Sequence, residues 1–476
     1  MVLRAPLAYT IPEETATLAR SIVPRGNLLM TITDTFGMLF TNDQFAHLFS
    51  STGQPACDPA RLAMVLVLQY MEGLSDRQAA DAVRLRIDWK YALALPLAHR
   101  GFDASVLTEF RQRLSSDDAQ CLFLDTLLAD LQQAGFVKAR GIQRTDSTMI
   151  LANIRLLTRL ELIGETIRAT LNQLASREPT WLCQHMHPEW HERYAERINN
   201  YRLPKAKSAR HALATTYGAD GFTLLTALTA PDTPRTVRTL PMVATLWRVW
   251  LQQFYGPSET PVLRADADVP MPAGLIHSPY DPDARYSMKR GTTWIGYKVH
   301  ITESCDPDQP RLVTTVHTTP ATTPDDPLVP QIHATLAKKK LLPATHLVDC
   351  GYTSSETLVQ SQQDYAVRVL GPVAHDPSWQ ARERTGYDNQ AFVIDWDQQQ
   401  ARCPQGHTSG KWRFEQDITG QAVVHIRFLR KDCSPCPVRT HCTRGKHEPR
   451  SVTIRTQIYH EALQQARQYQ RTPAFH

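Results

Sequence analysis

The stretch Trp294-Ile295-Gly296-Tyr297-Lys298-Val299-His300-Ile301-Thr302-Glu303 alternates along its length, with Ile295, Tyr297, Val299 and Ile301 on one face and Lys298, His300 and Thr302 on the other. That is the period-two pattern of a half-buried strand. Residues 311–318 alternate likewise after a Pro/Asp turn, so a hairpin is expected. Downstream, Asp326 as N-cap with Pro327 at N1 starts a helix whose Leu328, Ile332 and Leu336 share one stripe. Thr345-His346-Leu347-Val348-Asp349 reads as the next strand, Thr353 and Glu356 as the capping box of a further helix, and residues 366–370 as a buried strand. One more strand lies far upstream, at 140–149, ending in Thr145-Asp146-Ser147, with no clear strand between it and Trp294. A meander followed by strands alternating with helices gives an α/β fold class, a mixed sheet flanked by helices.

Outward from this core, 476 residues leave room for about three domains. Residues 1–41 carry no strong period and read as an N-terminal arm. Residues 42–135 form a helical domain. In it, Asp58 is an N-cap with Pro59 at N1, the run to Met71 is apolar nearly all round, and Gly73 stops it. Ser75 and Gln78 cap a second helix, Phe102 and Leu107 staple a third beginning at Asp103, and Asp118 to Gln133 reads as a fourth ending at Gly135. The short turn at Gly73-Leu74 allows a DNA-reading helix-turn-helix with Arg77, Arg84 and Arg86 on its second helix; a plain packed bundle fits as well. Residues 136–372 hold the sheet, interrupted at about 150–290 by a helix-rich, then Pro-rich insertion. Its His185, His187 and His191 read as a solvated surface rather than a metal site.

Composition narrows the classes further. Apolar residues make up 42 % and charged residues 21 %, which excludes global disorder. The longest uninterrupted apolar run, Leu62 to Leu68, is far short of the roughly 18 residues a membrane span needs, and no leader pattern opens the chain, so a cytoplasmic protein is expected. Net charge is +5, but residues 401–476 hold thirteen Lys/Arg against five Asp/Glu, leaving the rest mildly acidic. Five of the nine cysteines are scattered, as reduced thiols are, while Cys403, Cys433, Cys436 and Cys442 crowd together. A Cys-x2-Cys knuckle with two further thiols suits a structural Zn2+; unliganded thiols are the alternative. The surrounding basic residues, Arg439 and Arg444 among them, suit a surface that follows a phosphate backbone.

Asp146 and Asp349 each end a strand. On neighbouring strands they would share divalent cations, and Mg2+ takes one or two carboxylates together with substrate phosphate. As isolated turn residues they would do nothing of the kind, and sequence order does not pair them.

The helical block 58–114 with Gly73-Leu74-Ser75-Asp76-Arg77-Gln78, the Thr145-Asp146-Ser147 strand end, Tyr280-Asp281-Pro282-Asp283-Ala284-Arg285, Trp294 to His300, Val348-Asp349-Cys350-Gly351-Tyr352 and the cysteine knuckle together resemble the DDE transposases of bacterial insertion sequences, in the group with an InsH-like helical N-terminal domain. The resemblance implies an RNase H-like catalytic core, a cysteine-rich, zinc-ribbon-like insertion over residues 373–457, and the start of the last core helix at 458–476. It implies Mg2+- or Mn2+-dependent cleavage and transfer of DNA strands at transposon ends, with Asp146 and Asp349 as two of three acidic ligands. Double-stranded DNA, as inverted repeats and target, and a homo-oligomer on DNA are the implied partners, with Arg285, Lys289 and Lys298 joining the arginines above as DNA contacts and the protein associated with the nucleoid. The family's glutamate follows a Tyr-x2-Arg-x3-Glu pattern that this sequence lacks; Glu461 has Gln457, not arginine, four residues before it. The chain therefore reads as truncated at its C-terminus, with the third ligand beyond residue 476 and catalysis impaired. The alternative is a non-catalytic, zinc-dependent DNA-binding protein or transposase-derived regulator.

Overall fold

A computed structural model describes residues 2–3, 9–115, 119, 121–256, 260–374, 376, 378–383 and 386–475. They fall into two compact units: 1–141 with 304–314 and 336–342, and 142–303 with 315–335 and 343–476.

The first unit is helical. Residues within the stretch read as an arm form α1 (Glu13–Ile22) and α2 (Leu28–Phe36), the latter capped by Asn27 accepting the Met30 N–H. Their missing period reflects a small tertiary contact, in which Ala19 and Met30 are buried against Tyr91. The helix α3 (Pro59–Glu72) starts at Asp58, whose carboxylate accepts the Arg61 N–H, and ends where Gly73 adopts φ 66°, a left-handed conformation that costs glycine least. Apart from Val67, its residues 62 to 68 are all buried. The Ser75–Gln78 capping box then opens α4 (Asp76–Leu85), followed by α5 (Ile87–Ala92), α6 (Ser105–Leu114) and α7 (Leu122–Gln133). The third helix starts two residues later than expected because Asp103 spends its carboxylate on the Ser105 N–H. The expected start of the fourth at Asp118 lies outside the described residues.

The second unit begins with β1 (Ile142–Leu151). This strand does not end at Thr145-Asp146-Ser147 as the sequence suggests. It runs on because Ala152 N–H still reaches the Ile295 carbonyl, 3.0 Å away, so pairing with a distant strand overrides the local turn residues. The insertion then folds as α8 (Arg159–Arg177), α9 (Pro179–His185), α10 (Pro188–Tyr194), α11 (Lys207–Thr229), α12 (Arg235–Arg238) and α13 (Pro241–Gln253). The first of these starts at a Thr158–Glu161 capping box, and the group has its own core around Ile163, Ile167, Leu224, Leu246 and Trp250. A strand not expected from sequence, β2 (Arg285–Lys289), turns through Arg290 and Gly291 into β3 (Thr292–Ser304). Next come β4 (Val313–Pro320), α14 (Val329–Lys338), β5 (Thr345–Val348), α15 (Ser355–Tyr365) and β6 (Arg368–Leu370). A short 3-10 turn at Asp326–Leu328, with Asp325 as its cap, precedes α14, and Ser354 rather than Thr353 caps α15 by accepting the Thr357 N–H.

The sheet order is β2-β3-β1-β5-β6, with β4 also on β3; β1-β5 and β5-β6 are parallel. Along β3 the buried side chains are Trp294, His300, Thr302 and Ser304, while Ile301 is 37 % exposed. The polar face is thus the inner one. His300 and Thr302 are hydrogen-bonded there, which removes most of the cost of burying them.

The C-terminal part of this unit contains α16 (Trp379–Glu383), the hairpin β7 (Val393–Asp395) and β8 (Gln400–Arg402), then β9 (Trp412–Gln416), β10 (Ala422–Arg427), α17 (Arg430–Cys433), α18 (Arg439–Cys442), β11 (Ser451–Arg455) and α19 (Gln457–Gln470). The antiparallel sheet β11-β10-β9 packs Val424, Ile426, Phe428, Val452 and Ile454 with Phe392 into a small core.

Candidate active site

Parallel pairing of β1 with β5 matches Ile142 with Thr345 and continues to Thr145 with Val348. One step further, where β5 stops, stand Asp146 and Asp349. Neighbouring strands lie about 4.8 Å apart, so the two carboxylates rise side by side from one edge. Asp146 is exposed and Asp349 half-buried. Oδ1 of Asp146 accepts the Ser147 N–H at 2.7 Å, and Oδ1 of Asp349 accepts the Gly351 N–H at 2.8 Å. Asp349 therefore also caps the turn Cys350–Tyr352.

Two buried hydrogen-bond chains fix this edge from below. In the first, His333 Nε2 lies 2.9 Å from His346 Nδ1, His346 Nε2 lies 2.6 Å from Thr145 Oγ1, and Thr145 Oγ1 lies 2.7 Å from Thr302 Oγ1. The residue next to Asp146 is thereby tied to α14, β5 and β3. Burial pulls His333 down to about 4 and His346 lower still, so both rings are neutral at pH 7. In the second chain, His300 joins Tyr352 Oη at 2.5 Å and Thr319 Oγ1 at 3.0 Å. Burial, reinforced by the surrounding carboxylates Asp325, Asp349 and Asp146, pushes the Tyr352 phenol up, and burial pulls His300 down to about 4.

Sequence reasoning missed Asp325. A side chain added at Gly351 would meet Asp325 Oδ2 at 2.9 Å and Asp349 Oδ1 at 3.1 Å, so these two carboxylates face each other across that glycine. Asp325 is ion-paired with Lys298, and both side chains are largely buried. The doublet Asp325-Asp326, beyond the loop that follows β4, was the available signal, but the helix-cap pattern favours its second member. Among the described residues, no three His, Cys, Asp or Glu side chains stand ready around one metal position. The two strand aspartates still fit a hard divalent ion chemically, as an adjacent, accessible oxygen pair.

The cysteine cluster is a separate place. Cys403, Cys433, Cys436 and Cys442 line one cavity of about 30 Å³, with His407 at its wall. Burial, and the proximity of the other three sulfurs, push the Cys442 thiol up to about 11. None of the nine cysteines is in a disulfide. His185 and His187 pack on Trp181 and Trp190.

The basic residues read as DNA contacts are placed unevenly. Arg77 and Lys289 are exposed. Arg84 donates to the Arg100 carbonyl at 3.1 Å, and Arg86 is held by Glu72 and Asp88 over the Trp89 ring. Lys298 is committed to Asp325, and Arg285 bonds the Pro282 carbonyl within its own turn. Arg439 ties down the Gly445 and Glu448 carbonyls, and Arg444 stacks on Trp379 while pairing with Glu383. Glu461, on α19, faces α15 and β6 across an open groove.

Comparison with known families now bears on these features. Residues 18–113 match the model of a transposase domain (DUF772), and residues 402–476 match that of a transposase DDE domain. The class so defined is a transposase. More narrowly, the two matches together support an insertion-sequence DDE transposase. No curated protein and no solved structure gives a match. No helix among the described residues is long and apolar enough to cross a membrane.

Proposed function

We infer that the protein binds the inverted ends of its element and cleaves and transfers DNA strands there, with Asp146 and Asp349 as acidic ligands for Mg2+ or Mn2+. The observation that carries this reading is the parallel β1–β5 register, which brings together two aspartates 203 residues apart in the chain. The order β2-β3-β1-β5-β6 with β4 also on β3, antiparallel at β2-β3 and parallel at β1-β5 and β5-β6, supports an RNase H-like core. A divalent ion held there would activate the attacking oxygen and stabilise the leaving one. The protein's own contribution is positioning and charge. Thr145 and His346 hold the Asp146 strand in register, Gly351 holds Asp349, and Lys298 neutralises Asp325, so that the edge keeps a net charge of two carboxylates. With Asp325 so engaged, no third free carboxylate joins the pair among the described residues, and weak turnover is the expected result.

The second reading is a zinc-dependent DNA-binding regulator that does not cut; it rests on the four cysteines lining one cavity in a basic segment, although among the described residues they are not gathered around one metal position. A nicking and strand-transfer assay on DNA carrying the element's inverted ends, with Mg2+ or Mn2+, separates the two. Asp146→Asn and Asp349→Asn should abolish any turnover while leaving end binding intact. Robust turnover lost in Glu461→Gln would place a third ligand on α19 and overturn the expectation of impairment. DNA-dependent assembly, read by sedentation of the complex in an ultracentrifuge, tests the expected homo-oligomer.

A further inference from the structure

Neither family match reaches the helical insertion, yet it carries a strongly polarised surface. From Arg197 to Ala219 the sequence contains Arg197, Arg202, Lys205, Lys207 and Arg210, and no carboxylate. Arg197, Lys205 and Lys207 are exposed, and their side chains make no ion pair among the described residues. Tyr201, between them, is 76 % exposed, with the Arg202 guanidinium 5.7 Å from its ring centre. Lys207, Arg210 and His211 line, with Arg159 and Ser208, an open cleft of about 680 Å³.

The backbone beneath these cations is fixed. Buried Glu165 accepts the Ile198 N–H at 2.5 Å, and buried Glu161 accepts the Asn200 N–H at 2.8 Å. Arg155 donates to the Ile198 carbonyl at 2.7 Å, and Arg210 donates to Asn200 Oδ1 at 2.9 Å. Two acids of the long helix α8 thus tie the loop down through backbone amides; Arg202 pairs with Glu196, while Arg197, Lys205 and Lys207 make no ion pair among the described residues.

We propose that this ridge of the insertion, Arg197 to His211, is a DNA-contacting surface that follows the phosphate backbone. The proposal rests on the transposase reading above and adds the place of contact. Unpaired cations on a preorganised loop bind a polyanion without first breaking internal salt bridges, and each phosphate they neutralise releases condensed counterions. An exposed aromatic ring among cations is a common companion of nucleic-acid surfaces.

The test compares the full chain with its Arg197→Ala/Lys205→Ala/Lys207→Ala variant on a random-sequence DNA duplex, with affinity measured against salt concentration. None of these three side chains makes an ion pair among the described residues, and thermal melting verifies that the variant folds. The variant should lose roughly 2 to 3 from the slope of log affinity against log salt, while an Arg177→Ala/Arg235→Ala control elsewhere on the insertion should not. An unchanged slope and affinity in a folded triple variant would overturn the proposal and leave the transposase reading standing. No binding of the duplex by the unmodified chain would overturn both.

Discussion

Acidification should loosen the edge that carries Asp146 and Asp349. His333 and His346 are both fully buried, and burial holds their folded-state pKa values well below the 6.5 of an unfolded chain. A depressed histidine favours the folded state above pH 6.5 and loses that advantage as pH falls toward its folded value, because only the unfolded chain takes up the proton. Each ring costs about 1.4 kcal/mol per pH unit in this window, so two rings from pH 6.5 to 5 cost roughly 4 kcal/mol, about a thousandfold in opening equilibrium. The readout is hydrogen exchange at the paired amides of residues 143–145 and 346–348, corrected for the intrinsic pH dependence of exchange. Protection should fall by two to three orders of magnitude from pH 7 to pH 5, and a His333→Gln/His346→Gln variant should lose most of that pH dependence. Equal protection at both pH values, or the same slope in the variant, would show that these rings are not the buried neutral pair described here.

Other consequences are direct. Gly221→Ala would put a methyl 1.9 Å from Trp250 Cζ2, and overpacking of this kind costs about 1–3 kcal/mol, so the insertion should melt earlier in calorimetry. Lys298→Met leaves Asp325 without its counter-ion in a largely buried position and should destabilise by about 3–5 kcal/mol; Lys298→Met with Asp325→Leu should recover most of that in urea titration. Purified without chelators, the chain should carry one zinc equivalent by elemental analysis, lost in Cys436→Ser; metal-free protein would remove the zinc reading.

The element types were largely written in local chemistry. Asp58, Gly73 and the Ser75–Gln78 box mark helix ends through hydrogen bonds that span three or four residues, and they stand where the sequence puts them. The alternation of 294–303 specified a strand, but not which face turns inward. Period two is symmetric, and the choice fell to His300 and Thr302 finding partners in Tyr352, Thr319 and Thr145. The extent of β1 beyond Asp146, the existence of β2 and the helices within residues 13–36 were likewise set by pairing and packing with distant residues.

By itself the sequence determined the class of elements, the cysteine cluster and the two aspartates as candidates. Only the tertiary structure decided that those aspartates are neighbours, that Asp325 near Asp349 is taken up by Lys298, and that a cation-rich ridge is pinned to the insertion. The physical reason is the same in each case: helix caps and turns close within a few residues, whereas strand adjacency and charge pairing join residues that the chain keeps far apart.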